Sequence, residues 1–331
     1  MSYVPDPAAG VAAADLDPPV PHGQVLSYLR AQPSTADESN LEIEVLRAVT
    51  RSQALAVRGP LEPVASVETV EAAGVPARLY RPHGDESEVL IWIHGGGWIH
   101  GDLDCYEGVT RAIANRANCA VLAIDYRLAP EHPFPAGLED AWAATKWAGT
   151  RFANLAVGGD SSGGNLAAAV ALKARDSTLD LALQLLIYPV LDHAPDTAYK
   201  RAFRERYTSF AGQAQFGLIA YERINRIWDL YVPDAAVRDK ALASPLRADS
   251  LRGLAPTVII TAEHDILRGE AEEYARRLRA DHVPVQVDQY VGQIHGFVQM
   301  LGVMADAEHA IDKAATALRR AFAASEGLDR R

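Results

Sequence analysis

The sequence predicts an α/β fold with a mainly parallel, doubly wound sheet at its centre. Three observations carry this. Val89–Ile93 (Val-Leu-Ile-Trp-Ile) and Ala120–Ile124 are apolar at every position, as strands covered on both faces must be. Stretches with helical spacing separate such runs, so strands and helices alternate along the chain. Residues 155–173, Leu-Ala-Val-Gly-Gly-Asp-Ser-Ser-Gly-Gly-Asn-Leu-Ala-Ala-Ala-Val-Ala-Leu-Lys, read as a buried strand, a tight turn and an alanine-rich helix.

In chain order, residues 1–22 read as a loose arm rich in Ala, Pro and Asp. Amphipathic helices are expected at Gly23–Gln32 and Glu38–Val57, the second with Leu41, Ile43, Val45, Leu46 and Val49 at mostly helical spacing. Pro60 and Pro63 end this region. Val67–Val70 and Ala77–Tyr80 flank a Gly74-Val75 turn and read as an antiparallel pair at the sheet edge. After the Val89–Ile93 strand come a helix at Tyr106–Ala117 and the Ala120–Ile124 strand. A proline-rich loop at 130–135 leads to a helix at Ala136–Gly149. The strand Leu155–Val157 and helix Leu166–Lys173 follow, then a strand at Leu183–Ile187. Two further strands, Pro256–Thr261 and Val283–Gln289, bracket a helix around Glu270–Ala280. The last helix is expected at Ala305–Ala324.

Residues 193–243 break the alternation, being far longer than a usual connection. Aromatics are dense there, among them Phe203, Tyr207, Phe210, Phe216, Tyr221, Trp228 and Tyr231. An insertion this aromatic must cover something apolar, and it lies at the strand ends where such sheets bind ligands. The chain thus divides into an arm with helices at 1–58 and a body at 59–331 carrying the insertion.

Composition narrows the function. Hydrophobic residues make up 49% and charged residues 23% of the 331, enough for a sizeable core. The net charge of −11 argues against nucleic acid or an anionic membrane as partner. Cys105 and Cys119, the two cysteines, make neither a zinc pattern nor a disulfide framework, which fits a reducing compartment. The first basic residue is Arg30, no secretory signal is evident, and no apolar run approaches the roughly 20 residues of a membrane span. A soluble, cytoplasmic protein is expected.

The chemistry-bearing motifs fall after strands. In Gly159-Asp160-Ser161-Ser162-Gly163, small residues flank a residue that must turn sharply from strand into helix. Gly/Ser-rich loops match this pentapeptide by chance, and phosphate-binding turns also precede helices, but neither phosphate-binding glycine pattern occurs here. Ser161 is the candidate nucleophile of an elbow. Directly after another strand stands His94-Gly95-Gly96-Gly97-Trp98. Its glycines let backbone donors approach a developing oxyanion. The N–H groups of Gly95 and Gly96, with Gly97 as an alternate, plus that of Ser162, are the expected donors. His94 reads as structural, because His100, Asp102 and Asp104 lack metal-ligand spacing. Asp265 and His295 follow the last two strands. A serine alcohol needs a base to take its proton, and the base needs an acid to orient it. Ser161, Asp265 and His295 fill those roles in the order this kind of sheet uses. Glu263 and His264 are rivals, less favoured because Asp265 sits deeper in its loop.

With these motifs, together with Asp125-Tyr126-Arg127-Leu128-Ala129-Pro130-Glu131, Tyr188-Pro189, Asp265-Ile266-Leu267-Arg268 and His295-Gly296-Phe297, the chain from Val89 onward resembles the hormone-sensitive-lipase-like branch of the α/β-hydrolases, the bacterial carboxylesterase kind. The resemblance implies the α/β-hydrolase fold: an eight-stranded sheet flanked by helices, a helical cap from the N-terminus and the 193–243 insertion, and a catalytic triad. Ser162 replaces the usual Ala and Ile266 the usual Pro; the first keeps the N–H donor and the second lies beside the acid. The expected activity is hydrolysis of short- to medium-chain carboxylic esters through an acyl-enzyme on Ser161, with no metal or organic cofactor. An amidase, lactonase or deacetylase using the same triad is the alternative. A ligand-binding receptor is less favoured, because relatives of that kind, the gibberellin receptors, have lost the histidine that stands here at 295. The expected partner is a small-molecule ester, with no nucleic acid or stable membrane association and a homodimer left open. Trp98, Phe203, Phe210 and Trp228 are the pocket candidates, and the acidic net charge predicts neutral esters over anionic ones.

Overall fold

The structure, a computed structural model, describes residues 21–31, 42–194, 197–198, 200–201 and 221–329. Eight strands form one sheet in the order β1-β2-β4-β3-β5-β6-β7-β8: β1 Ser66–Ala72, β2 Val75–Arg81, β3 Glu88–Ile93, β4 Ala120–Ile124, β5 Asn154–Asp160, β6 Leu183–Ile187, β7 Thr257–His264 and β8 Val285–Ile294. β2 pairs antiparallel with both β1 and β4, and the pairs from β4 through β8 are parallel. The hairpin turns at Ala73-Gly74 rather than Gly74-Val75; both residues have positive φ, the two-residue geometry that matches strand twist.

The helices are α1 Gly23–Ala31, α2 Ile43–Val57, α3 Glu107–Ala117, α4 Ala136–Ala148, α5 Ser162–Arg175, α6 Tyr221–Tyr231, α7 Arg268–Ala280 and α8 Ala305–Asp329, with a short helix at Ala235–Arg238 between α6 and β7. Residues 38–41, expected to open the second helix, lie outside the described residues, as does the arm through residue 20. α3 ends at Asn118, whose left-handed φ of 56° lets its N–H reach Ala114.

Two apolar layers sandwich the sheet. On one face Leu138, Ala141 and Ala144 of α4, Leu166 and Val170 of α5 and Tyr274 and Leu278 of α7 pack together. On the other, Val109 and Ile113 of α3, Ile311 and Leu318 of α8 and Val25 of α1 do so. Val89 to Ile93 divide between the layers, odd residues to the first and Leu90 and Trp92 to the second. All five are essentially fully buried, each burial stabilising by roughly 1.5–3 kcal/mol. That explains the run with no polar residue. Among the described residues no helix is long and apolar enough to cross a membrane.

Candidate active site

The strand ends bring the expected residues together. β5 closes at Asp160, α5 opens at Ser162, and Ser161 between them holds φ 54°, ψ −119°, a strained conformation for a residue with a side chain. Gly159 and Gly163 are required here: a Cβ on Gly159 would lie 2.3 Å, and on Gly163 2.0 Å, from the carbonyl oxygen of Ile93 at the end of β3. The elbow can therefore nest against the neighbouring strand only with glycine on both sides.

β7 ends one residue before Asp265 and β8 one residue before His295. His295 Nδ1 lies 2.7 Å from Asp265 Oδ2, and Nε2 lies 2.9 Å from Ser161 Oγ. Asp265 is buried, and its other oxygen accepts the N–H of Leu267 at 2.9 Å. Its acceptors are thus divided between one imidazole and one backbone amide. Tyr188 packs against the His295 ring with centroids 4.6 Å apart. The rivals point elsewhere: Glu263 accepts from the Gly292 N–H at 2.8 Å, and His264 is buried with Nε2 4.0 Å from Glu263.

The glycine loop departs from expectation at its first member. The Gly95 N–H donates to Asp160 Oδ1 at 2.8 Å, which removes it from any oxyanion hole. Gly96 and Gly97, with Ser161, line the adjoining cavity. Among the described residues no acceptor is recorded for the N–H groups of Gly96, Gly97 or Ser162. Gly96 has φ 116°, and a Cβ there would lie 2.0 Å from the His100 carbonyl oxygen, so this turn also demands glycine. His94 is tied down as anticipated: Nδ1 meets its neighbour's carbonyl, Gly95 O, at 2.8 Å and its ring stacks on Tyr126 at 4.4 Å.

The residue that captures Gly95 escaped the sequence reading. Asp160 is buried and also accepts from Tyr106 Oη at 3.0 Å and Gln299 Nε2 at 2.8 Å. Burial pushes its carboxyl up from the ordinary range, and the Gln299, Tyr106 and Gly95 donors pull it back. Asp160 thereby joins the elbow, the glycine loop and the segment after His295. Its place beside Ser161 was a signal; nothing in the sequence marked Gln299.

The cavity has a volume of about 300 Å³, at the small end for a ligand site. Trp98 and Trp228 line it, as expected. Trp98 stacks on Tyr231 at 4.0 Å and lies 5.0 Å from Trp228. Phe203 and Phe210, the other two candidates, lie outside the described residues. The remaining lining includes Tyr28 of α1, Gln53 of α2 and Ile224 and Ile227 of α6. Arg47 fastens α2 beside the loop: its guanidinium donates to Ile99 O at 2.8 Å, Ala129 O at 3.0 Å and both Glu131 oxygens at 2.7 Å.

A family described as having the alpha/beta hydrolase fold matches residues 90–299. The chain is 38% identical over 262 residues to the carboxylesterase NlhH of Mycobacterium tuberculosis, covering 75% of this chain and 79% of that protein. It is 33% identical over 262 residues to an arylesterase of Saccharolobus solfataricus, covering 75% and 82%. Among solved structures, an esterase of Pyrobaculum calidifontis superposes with a TM-score of 0.82 at 30% identity, covering 91% of this chain and 99% of that one.

Proposed function

Because the chain belongs to the α/β-hydrolase family, in its hormone-sensitive-lipase-like branch, we propose that it is a serine carboxylesterase with Ser161, His295 and Asp265 as its triad. The observation that carries this is the bridge made by His295, 2.9 Å from Ser161 Oγ and 2.7 Å from Asp265. Ser161 Oγ attacks the ester carbonyl while His295 Nε2 takes its proton. Asp265 holds Nδ1–H and stabilises the imidazolium. The N–H groups of Gly96, Gly97 and Ser162 receive the oxyanion; losing one such donor typically costs on the order of 10²–10³ in rate. His295 then protonates the departing alcohol, leaving an acyl group on Ser161. Water, deprotonated by His295, attacks that acyl-enzyme, and its collapse returns the acid and the free serine.

The tryptophan-lined cavity of about 300 Å³ supports short- to medium-chain acyl groups, with α1, α2 and α6 forming a cap over it. The buried free thiols Cys105 and Cys119 fit a cytoplasmic setting. Ser161→Ala tests the assignment. The purified variant should keep the wild-type melting temperature and lose hydrolysis of soluble aryl esters. An active-site phosphonate should label Ser161 in the wild type. Wild-type activity should rise from acetyl to about butanoyl or hexanoyl esters and then fall, since each buried methylene adds roughly 0.8 kcal/mol until the pocket is full. Turnover by Ser161→Ala above a trace refutes the nucleophile, and faster hydrolysis of long-chain emulsions refutes the pocket.

A further inference from the structure

The cavity beside Ser161 carries a charge pattern opposite to that of the chain. The chain's net charge is −11. Yet among the described residues the charged side chains lining the cavity are Arg51 and Arg223, and no carboxylate is among them. The wall given by α1 and α2 is mostly polar: Tyr28, Thr50, Arg51 and Gln53. An apolar acyl chain alone gives no reason for such a wall.

Both cations already have partners. Arg51 is balanced from outside the cavity, with Nε 2.7 Å from Asp102 and Nη2 2.5 Å from Asp104. Arg223 comes from α6, beside Ile224 and Ile227, which also line the cavity. Its charge reaches His100. His100 lines the same cavity, and a Cβ on Gly96 would lie 2.9 Å from His100 Nδ1. Burial first, and the Arg223 charge second, hold the His100 imidazole down to about 3. His100 therefore stays neutral at working pH and leaves the positive charge to the guanidiniums. Arg223 is already engaged by a neighbouring group; its five N–H donors allow it to hold an incoming acceptor as well.

We propose that this pocket selects esters bearing a second, anionic group, and that Arg223 is the residue that reads it. The substrate class is half-esters of short dicarboxylic acids, with the ester carbonyl at Ser161 and the free carboxylate at Arg223. This rests on the carboxylesterase reading above and replaces the expectation, drawn from net charge, that neutral esters are preferred. A carboxylate entering an apolar pocket without a partner is strongly disfavoured. A guanidinium matches it with paired, charge-assisted hydrogen bonds.

The test compares ethyl hydrogen glutarate with ethyl pentanoate, the neutral ester of equal acyl chain length, at pH 7. The wild type should show kcat/KM for the half-ester at least equal to that for the neutral ester. Arg223→Gln should lower the half-ester to neutral-ester ratio tenfold or more, and Arg223→Lys should recover part of it by restoring the charge. A wild-type ratio below one tenth overturns the proposal without any variant. Equal losses on both esters in Arg223→Gln overturn it too, by making Arg223 structural. Turnover of the neutral ester alone overturns only this proposal, whereas turnover of neither, matched by Ser161→Ala, overturns the esterase reading along with it.

Discussion

Replacing Asp265 with Asn should damage turnover in a way that its geometry makes specific. Asp265 Oδ1 accepts the Leu267 N–H at 2.9 Å, and Oδ2 faces His295 Nδ1 at 2.7 Å. An asparagine has one oxygen to share between those two donors. Keeping it on the Leu267 amide, which cannot change its role, aims the NH₂ at Nδ1. Nδ1 must then become an acceptor, and the ring proton moves to Nε2, 2.9 Å from Ser161 Oγ. A protonated Nε2 cannot take the serine proton. The wrong tautomer costs on the order of 10⁴ in kcat where the same exchange is made in such triads, about 5 kcal/mol of transition-state stabilisation. Glu263→Gln is the control, since the contacts Glu263 makes to the Gly292 N–H and beside His264 lie outside the triad; it should cost less than about tenfold. The assay is kcat on a soluble aryl ester, normalised by phosphonate titration of active serines. A loss under tenfold for Asp265→Asn, or an equal loss for Glu263→Gln, refutes Asp265 as the acid.

Two stability predictions concern ion pairs outside the triad. Lys200 Nζ lies 2.7 Å from Glu270 Oε1 with both side chains buried, and Glu270 Oε2 accepts the Leu191 and Asp192 N–H groups at 2.6 and 2.9 Å. Lys200→Met strands that carboxylate and should destabilise the fold by about 3–5 kcal/mol in urea unfolding; a loss under 1 kcal/mol would show that the pair holds nothing. On the surface, its hydrogen bonds to Arg47 draw the Glu131 carboxyl down from 4.5 to about 2. A carboxyl lowered by folding stabilises the fold above its unfolded value and loses that contribution as pH falls toward the folded one. The melting temperature of wild type over Glu131→Gln should therefore be highest near neutral pH and narrow from about 4.5 downward, and a gap constant between pH 7 and 3 would refute the clamp.

The sequence shows three of the inner strands well and the ties between strand ends poorly. β3, β4 and β6 were legible to within a residue because burial on both faces leaves little room for polar side chains. β5 extends through Gly158, Gly159 and Asp160, where glycine supplies no pattern to read. α5 begins four residues before Leu166. Gly163 and Gly164 are poor helix formers, and the Ile93 carbonyl oxygen would meet a Cβ on Gly163, so a tertiary contact overrides propensity there. β8 runs to Ile294, beyond the expected Gln289, because this edge strand alternates polar and apolar residues and then continues across Gly292.

Gly95 shows why a motif assigns positions more readily than hydrogen bonds. Three adjacent glycines look alike in sequence, yet the first faces Asp160 and the next two face the cavity. The difference is set by an acid 65 residues away, itself held by Tyr106 and Gln299. A buried carboxylate with three donors is stable only while all three stay in place. Asp160 therefore constrains the glycine loop, the elbow and the segment after His295 together, and the donors left at Gly96 and Gly97 are oriented before any substrate arrives. Preorganised donors of this kind need no rearrangement as charge develops. On the proposed reading, the buried acid next to Ser161 positions the glycine loop without touching the reacting atoms.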